Sequence, residues 1–195
     1  MLPTIVPAEN LSVLQQLVRH AIKLHGDYWE CGVYNGGTAS IIHSLIPENR
    51  NLFLFDSFEG LPKETQYDNF HKKGDFNDVN YERVKDYFSN NNNVKIVKGF
   101  IPETFKNFTE SKICFVHIDL DLYEGYKQTL EFVWPRLVPG GVIALDDYNT
   151  ATCLGARKAT DEFAEKFNIQ ILNNYYLVKP ISPSDYKRFF REDQN

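Results

Sequence analysis

Apolar positions along this chain follow two rhythms. Short runs rich in β-branched and aromatic residues occur at 28–31, 51–55, 94–97, 113–118 and 142–145. Runs of that length and composition read as buried strands. Between them apolar residues recur at helical spacing. Leu11, Leu14, Leu17, Val18, Ala21 and Ile22 mark a helix over 8–24, with Gly26 as its stop. Further helices are predicted over 38–45, 79–89, 126–137 and 155–167, with a short helical segment at 102–108 opening on Pro102. In the helix over 79–89, Val84, Tyr87 and Phe88 form the apolar face and Asp78 is the expected cap. Pro139-Gly140-Gly141 reads as a turn before the fifth strand. Residues 169–172 and 175–178, joined by Asn173-Asn174, read as a terminal hairpin.

Strands alternating with helices imply an α/β, doubly wound, mostly parallel sheet, here with a C-terminal antiparallel hairpin. No internal repeat or second domain is visible, so residues 1–195 are expected to form one domain. Residues 1–26 form its N-terminal helical region, whose apolar face either layers on the sheet or meets a second subunit. Residues 63–80 are polar and read as a loop or lid, with Phe70 and Phe76 as apolar anchors. The charged stretch from Ser182 onward reads as a surface tail or short helix.

The strand ends carry the chemistry. The run at 113–118 passes directly into Asp119-Leu120-Asp121, and the run at 142–145 into Asp146-Asp147. In open parallel sheets the ligand crevice lies at the carboxyl ends of the strands. Four acids gathered there repel one another, and some must take up protons unless a cation is present. An all-oxygen set suits a hard ion such as Mg²⁺. The competing reading is that one or more of these aspartates caps a following helix. The first strand ends at Glu30 and runs into Gly32-Val33-Tyr34-Asn35-Gly36-Gly37 before a helix. Glycines there let a ligand approach the backbone, and the helix N-terminus offers free N–H groups. The spacing is neither GxGxxG nor a P-loop, and no Lys is present for a triphosphate. A carboxylate at Glu30 repels pyrophosphate and attracts an ammonium or sulfonium. Asp56, at the end of the second strand, suits ribose hydroxyls.

Composition narrows the partners. A net charge of −5 argues against nucleic acid or an anionic membrane. No run approaches a membrane span and no signal-peptide pattern opens the chain. The three cysteines, Cys31, Cys114 and Cys153, are odd in number and lack zinc spacing. They fit free thiols in a reducing cytoplasm.

Several motifs together resemble the macrocin O-methyltransferase family. They are Glu30-Cys-Gly-Val-Tyr-Asn-Gly-Gly37, Asp56-Ser-Phe-Glu-Gly-Leu-Pro62, His117-Ile-Asp-Leu-Asp-Leu-Tyr-Glu124, Pro135-Arg-Leu-Val-Pro-Gly-Gly141, Asp146-Asp-Tyr148 and Gly155-Ala-Arg-Lys-Ala159. The resemblance covers about residues 28–178. It implies a Rossmann-like class I fold and Mg²⁺-dependent methyl transfer from S-adenosyl-L-methionine to a sugar hydroxyl. It implies that Glu30, Gly32, Tyr34, Asn35 and Gly36 hold the methionine end of the cofactor, and that Asp56 binds its ribose. Ser57, Phe58 and Gly60 would line the adenosine, and Phe100 the adenine side. Asp119, Asp146 and Asp147 would hold Mg²⁺, and Asp121 would be the general base. Many family members have a longer N-terminal region, which leaves the oligomer interface and part of the acceptor pocket open.

Rival readings differ at named residues. His117 is an alternative base, although a buried, hydrogen-bonded histidine is the commoner outcome. Asp119-Leu120-Asp121 is also a DxD, as in metal-dependent glycosyltransferases, against which Glu30 argues by repelling a diphosphate. A silent binding domain that keeps the fold is the third reading.

Overall fold

The structure, a computed structural model, describes residues 2–182. The tail expected beyond Ser182 lies outside the described residues. Strands β1 (Asp27–Cys31), β2 (Leu52–Asp56), β3 (Val94–Lys98), β4 (Ile113–Ile118), β5 (Leu137–Leu145) and β6 (Tyr176–Val178) form one sheet in the order β3-β2-β1-β4-β5-β6. The first five are parallel and β6 runs antiparallel to β5. Helices α1 (Ala8–Ala21), α2 (Gly37–Leu45), α3 (Tyr81–Phe88), α4 (Tyr123–Val133) and α5 (Leu154–Phe167) cover it. The strand order reverses between β1 and β4, so a crevice opens at their carboxyl ends.

Alternation along the central strands splits the core into two layers. Trp29, Cys31, Val116, Ile118, Ile143 and Leu145 face one side with residues of α4 and α5. Tyr28, Leu54, Phe115, Val142 and Ala144 face the other with Leu14, Val18, Ala39 and Ile42 of α1 and α2. Thus α1 layers on the sheet rather than standing free of it. Glu30 and His117 are paired in register and occupy the second face, where a layer otherwise apolar carries two ionisable groups.

Several expectations shift in detail. The terminal hairpin reduces to β6, because residues 169–172 contribute only the Leu172–Tyr176 bridge. Pro139-Gly140-Gly141 lies within β5 rather than preceding it. The fourth helix begins at Tyr123, three residues early, because Asp68 accepts from the Tyr123 amide (2.9 Å) and supplies a cap from a distant loop. Asn80, not Asp78, caps α3, its side chain accepting from the Arg83 amide at 3.0 Å. Asn80→Ala should therefore lower stability by about 1 kcal/mol, read as a lower urea midpoint.

The loop at 63–80 is held by polar groups. Phe70 is 61% exposed and is not an anchor. Asp68 docks the loop on α4, and Asn69 bonds the Ala151 carbonyl (3.2 Å) and the Leu154 amide (3.2 Å) at the start of α5. Phe76 does pack inward, against Tyr34 and His71.

Candidate active site

A cavity of about 600 Å³ sits at the carboxyl ends of β1, β4 and β5. Glu30, Gly32, Tyr34, Asp56, Ser57, Gly60 and Phe100 all line it, as do Asp119, Asp121, Asp146 and Asp147. Asn35, Gly36 and Phe58 do not. The Asn35 side chain accepts from the Asn80 amide (3.0 Å), Gly36 caps α2 in a left-handed conformation, and Phe58 packs on Tyr81. Their work is to shape the turns that carry the lining residues.

The glycine turn is built by close approach. A Cβ on Gly32 would lie 1.7 Å from the Asp119 carbonyl oxygen. Only glycine lets the end of β1 pass so near the end of β4, and this contact sets Asp119 beside the turn. Asp56 holds the same turn from the other side. Its Oδ2 accepts from the amides of Val33 (2.7 Å) and Tyr34 (2.9 Å), and its Oδ1 from Phe58 (2.7 Å). A carboxylate has about four acceptor positions, so little capacity is left for a ribose.

Glu30 is 1% exposed. Its Oε1 lies 3.1 Å from His117 Nδ1, while Oε2 is buried without a partner. His117 Nε2 stands 3.7 Å from Asp146 Oδ1. Burial alone would depress the His117 pKa, but the flanking Asp146 and Glu30 carboxylates more than offset this and push it up to about 10. His117 does not line the cavity, and both of its ring nitrogens face acids, Glu30 and Asp146. The orphaned Glu30 oxygen is different. A buried acceptor without a donor is costly unless a ligand supplies one. A cationic amine entering the cavity fits that need.

Asp119, Asp146 and Asp147 offer oxygens that all lie within 4.8 Å of one another. Burial raises the pKa of Asp119, and Asp147 and Asp146 raise it further by repulsion. Asp147 is raised by burial and then by Asp146. Such a set either keeps protons or takes a cation. Its donors are all hard oxygens, so the residues fit Mg²⁺. Helix capping is not the whole account of any of them. Asp147 Oδ2 does accept from the amides of Leu120 (3.1 Å) and Asp121 (2.9 Å), but its target is the loop after β4. Asp146 is approached by Tyr175 Oη (3.3 Å) and Asn10 Nδ2 (3.4 Å).

Asp121 stands apart. Strand alternation predicts that it shares a side with Asp119, but β4 ends at Ile118 and Asp121 has a left-handed backbone, φ 58°. Its Oδ1 lies 3.6 Å from His71 Nε2 and 3.6 Å from Cys153 Sγ. Asp121 is not among the three carboxylates, Asp119, Asp146 and Asp147, whose oxygens converge. Burial, then Asp147, push the Asp121 pKa up to about 8.

Sequence reasoning missed His71, Asp68 and the site position of Cys153. His71 sits in a polar loop with no periodicity to mark it, and nothing local links it to Asp121, fifty residues on. The only available signal was that a long loop following a cofactor motif often carries site residues.

Fold and relatives place the chain among class I O-methyltransferases, enzymes that take their methyl group from S-adenosylmethionine. Residues 3–174 match the Macrocin-O-methyltransferase (TylF) family, and the chain belongs to it. Demethyldecarbamoylnovobiocin O-methyltransferase of Streptomyces niveus is 27% identical over 183 residues, spanning 85% of this chain and 69% of that protein. Mycinamicin III 3''-O-methyltransferase of Micromonospora griseorubida is 26% identical over 185 residues, spanning 85% and 72%. The solved structure of the O-methyltransferase NovP matches the fold with a TM-score of 0.76 at 24% identity, covering 91% of this chain and 82% of that one. The calicheamicin methyltransferase CalS11 matches at 0.73 and 22% identity, covering 87% and 78%. Among the described residues no helix is long and apolar enough to cross a membrane.

Proposed function

We propose that this chain is a Mg²⁺-dependent O-methyltransferase acting on a hydroxyl of a sugar-bearing small molecule, with Asp121 as general base. The observation that carries the reading is the division of the acids. Three carboxylates converge at the ends of β4 and β5, while the fourth, Asp121, has its Oδ1 beside His71 and Cys153. Glu30, which carries an unpartnered buried oxygen, lines the same cavity.

When bound, S-adenosylmethionine would supply an electrophilic methyl group, and Mg²⁺ among Asp119, Asp146 and Asp147 would make an adjacent hydroxyl more acidic. The chain does the rest. Glu30 would accept a hydrogen bond from the cofactor's ammonium, and the glycine turn would admit its methionine end. Tyr34, Ser57, Gly60 and Phe100 lie along the remaining wall. Asp56 acts mainly by bracing the turn. Asp147 fixes the Leu120 and Asp121 amides, which aims the Asp121 carboxylate. Asp121 takes the hydroxyl proton as the oxygen attacks. The loop over 63–80 brings His71 and Phe76 to the cavity wall and keeps water from the reacting atoms. Lys63, Glu124, Gln128 and Thr150 also line the cavity, and polar groups there suit a polyhydroxylated acceptor.

A carboxylate whose pKa is raised by burial is a stronger base than a free one. The free carboxylate is the active form, so kcat is expected to fall on the acid side as Asp121 takes up a proton. A pH–rate profile with no acidic limb would remove Asp121 from this role. The function itself is tested by labelled-methyl transfer from S-adenosylmethionine to a panel of sugar-bearing metabolites, with and without Mg²⁺. Transfer should disappear with EDTA and return with excess Mg²⁺. Transfer that persists undiminished in EDTA would overturn the metal dependence.

A further inference from the structure

One group of side chains is not used by the hard-cation site. Asp121 Oδ1 is 3.6 Å from an imidazole nitrogen, His71 Nε2, and 3.6 Å from a thiol sulfur, Cys153 Sγ. The three donor atoms all lie within 4.8 Å of one another. Bonds of about 2.0–2.1 Å to nitrogen and oxygen and about 2.3 Å to sulfur give tetrahedral edges of roughly 3.3–3.6 Å. The two measured separations already match those edges. Each side chain is largely enclosed, with His71 and Asp121 at 13% and 14% exposure and Cys153 at 2%. All three line the cavity.

The surroundings have the form of a ligand site rather than a chance cluster. His71 Nδ1 stands 3.6 Å from Asp75 Oδ2, and Asp75 is fixed by the Lys72 amide at 2.9 Å. A carboxylate behind the second ring nitrogen is the usual support for a metal-binding histidine. Phe70 and Phe76 flank the ring at 5.1 and 5.4 Å. Asp121 is held through its own amide by Asp147. The donor set, one nitrogen, one oxygen and one sulfur, selects a borderline-soft ion and offers little to Mg²⁺.

We infer that His71, Asp121 and Cys153 form a second metal site, specific for zinc-type ions, whose occupation withdraws Asp121 from methyl transfer and so inhibits the enzyme. On binding, the Cys153 S–H bond breaks, its proton passes to solvent, and the thiolate pair forms the metal–sulfur bond. The inhibition rests on the proposed role of Asp121, whereas the binding does not.

Co²⁺ is the probe, added to the reduced full-length protein without Mg²⁺. One equivalent should give the intense near-ultraviolet charge-transfer band of a cobalt–thiolate bond, and Zn²⁺ should erase it by displacement. Cys153→Ser should abolish the band, and His71→Ala should weaken Co²⁺ binding at least tenfold. Asp146→Asn, which leaves His71, Asp121 and Cys153 unchanged, should keep it. Circular dichroism checks that each variant folds. No band in the wild-type protein, a band that survives Cys153→Ser, or unchanged affinity in His71→Ala would each overturn the site. In methyl-transfer assays with saturating Mg²⁺, Zn²⁺ should inhibit the wild type, and His71→Ala should resist it. A cobalt–thiolate band with no inhibition by Zn²⁺ would overturn the inhibitory link. Failure of methyl transfer under every condition would count against the proposed function, while the band would still decide the site.

Discussion

Asp121→Asn is expected to lower kcat by about 10²–10⁴-fold and to leave S-adenosylhomocysteine binding unchanged. Asparagine is the informative replacement because it removes the carboxylate base with the least change of shape. It has the same shape, and it tolerates the left-handed backbone that Asp121 adopts at φ 58°. The Asp121 amide still donates to Asp147, so the loop after β4 stays in place. Glu30 and the glycine turn, the proposed cofactor side, belong to β1 and the turn after it and are not altered by the substitution. Turnover and calorimetric binding must be measured on the same preparation. Loss of both would indicate a collapsed loop, and retained turnover would end the assignment.

Gly32→Ala is expected to cost about 4 kcal/mol or more, in the range reached only by severe steric or burial defects. Two effects add. The position has φ +89°, and the new Cβ would lie 1.7 Å from the Asp119 carbonyl oxygen. Neither side can yield, because Gly32 N bonds the Phe55 carbonyl (2.9 Å) and Asp119 N bonds the Cys31 carbonyl (2.9 Å). Relief would break the parallel ladder at the switch point and displace Asp119. Gly74→Ala separates strain from collision. Gly74 has the same φ of +89°, but a Cβ there meets nothing within 4 Å. It should cost only about 1–2 kcal/mol. Urea unfolding of both variants reads the difference, and equal losses would mean that the close approach at Gly32 is not what matters.

What was legible before folding follows from range. Strand runs such as 113–118 are recognised locally, since burial on both faces demands an unbroken apolar stretch. Alternation of such runs with helical spacing is enough for the doubly wound sheet. Acids placed immediately after those strands are then carried to one edge by topology alone, so Glu30, Asp119, Asp146 and Asp147 could be named together. The elements that shifted are those fixed by distant partners. The fourth helix starts early because Asp68, from another loop, supplies its cap. The hairpin shrank because β6 pairs with β5 rather than with its neighbour in sequence. Apolarity marks Phe70 as an anchor, but loop docking there depends on Asp68 and Asn69 reaching the starts of α4 and α5.

The stretch from Ile113 to Asp121 shows where the division falls. Its sequence by itself determined a buried strand tipped with acids, because residue type, period and the parallel-sheet rule are all local or topological. Only the tertiary structure separated Asp119 from Asp121. A single left-handed residue, stabilised by the Asp147 carboxylate twenty-six positions away, turns one acid toward Asp146 and Asp147 and the other toward His71 and Cys153. Backbone conformation at one residue is set by what packs around it, and that is not written in its neighbours.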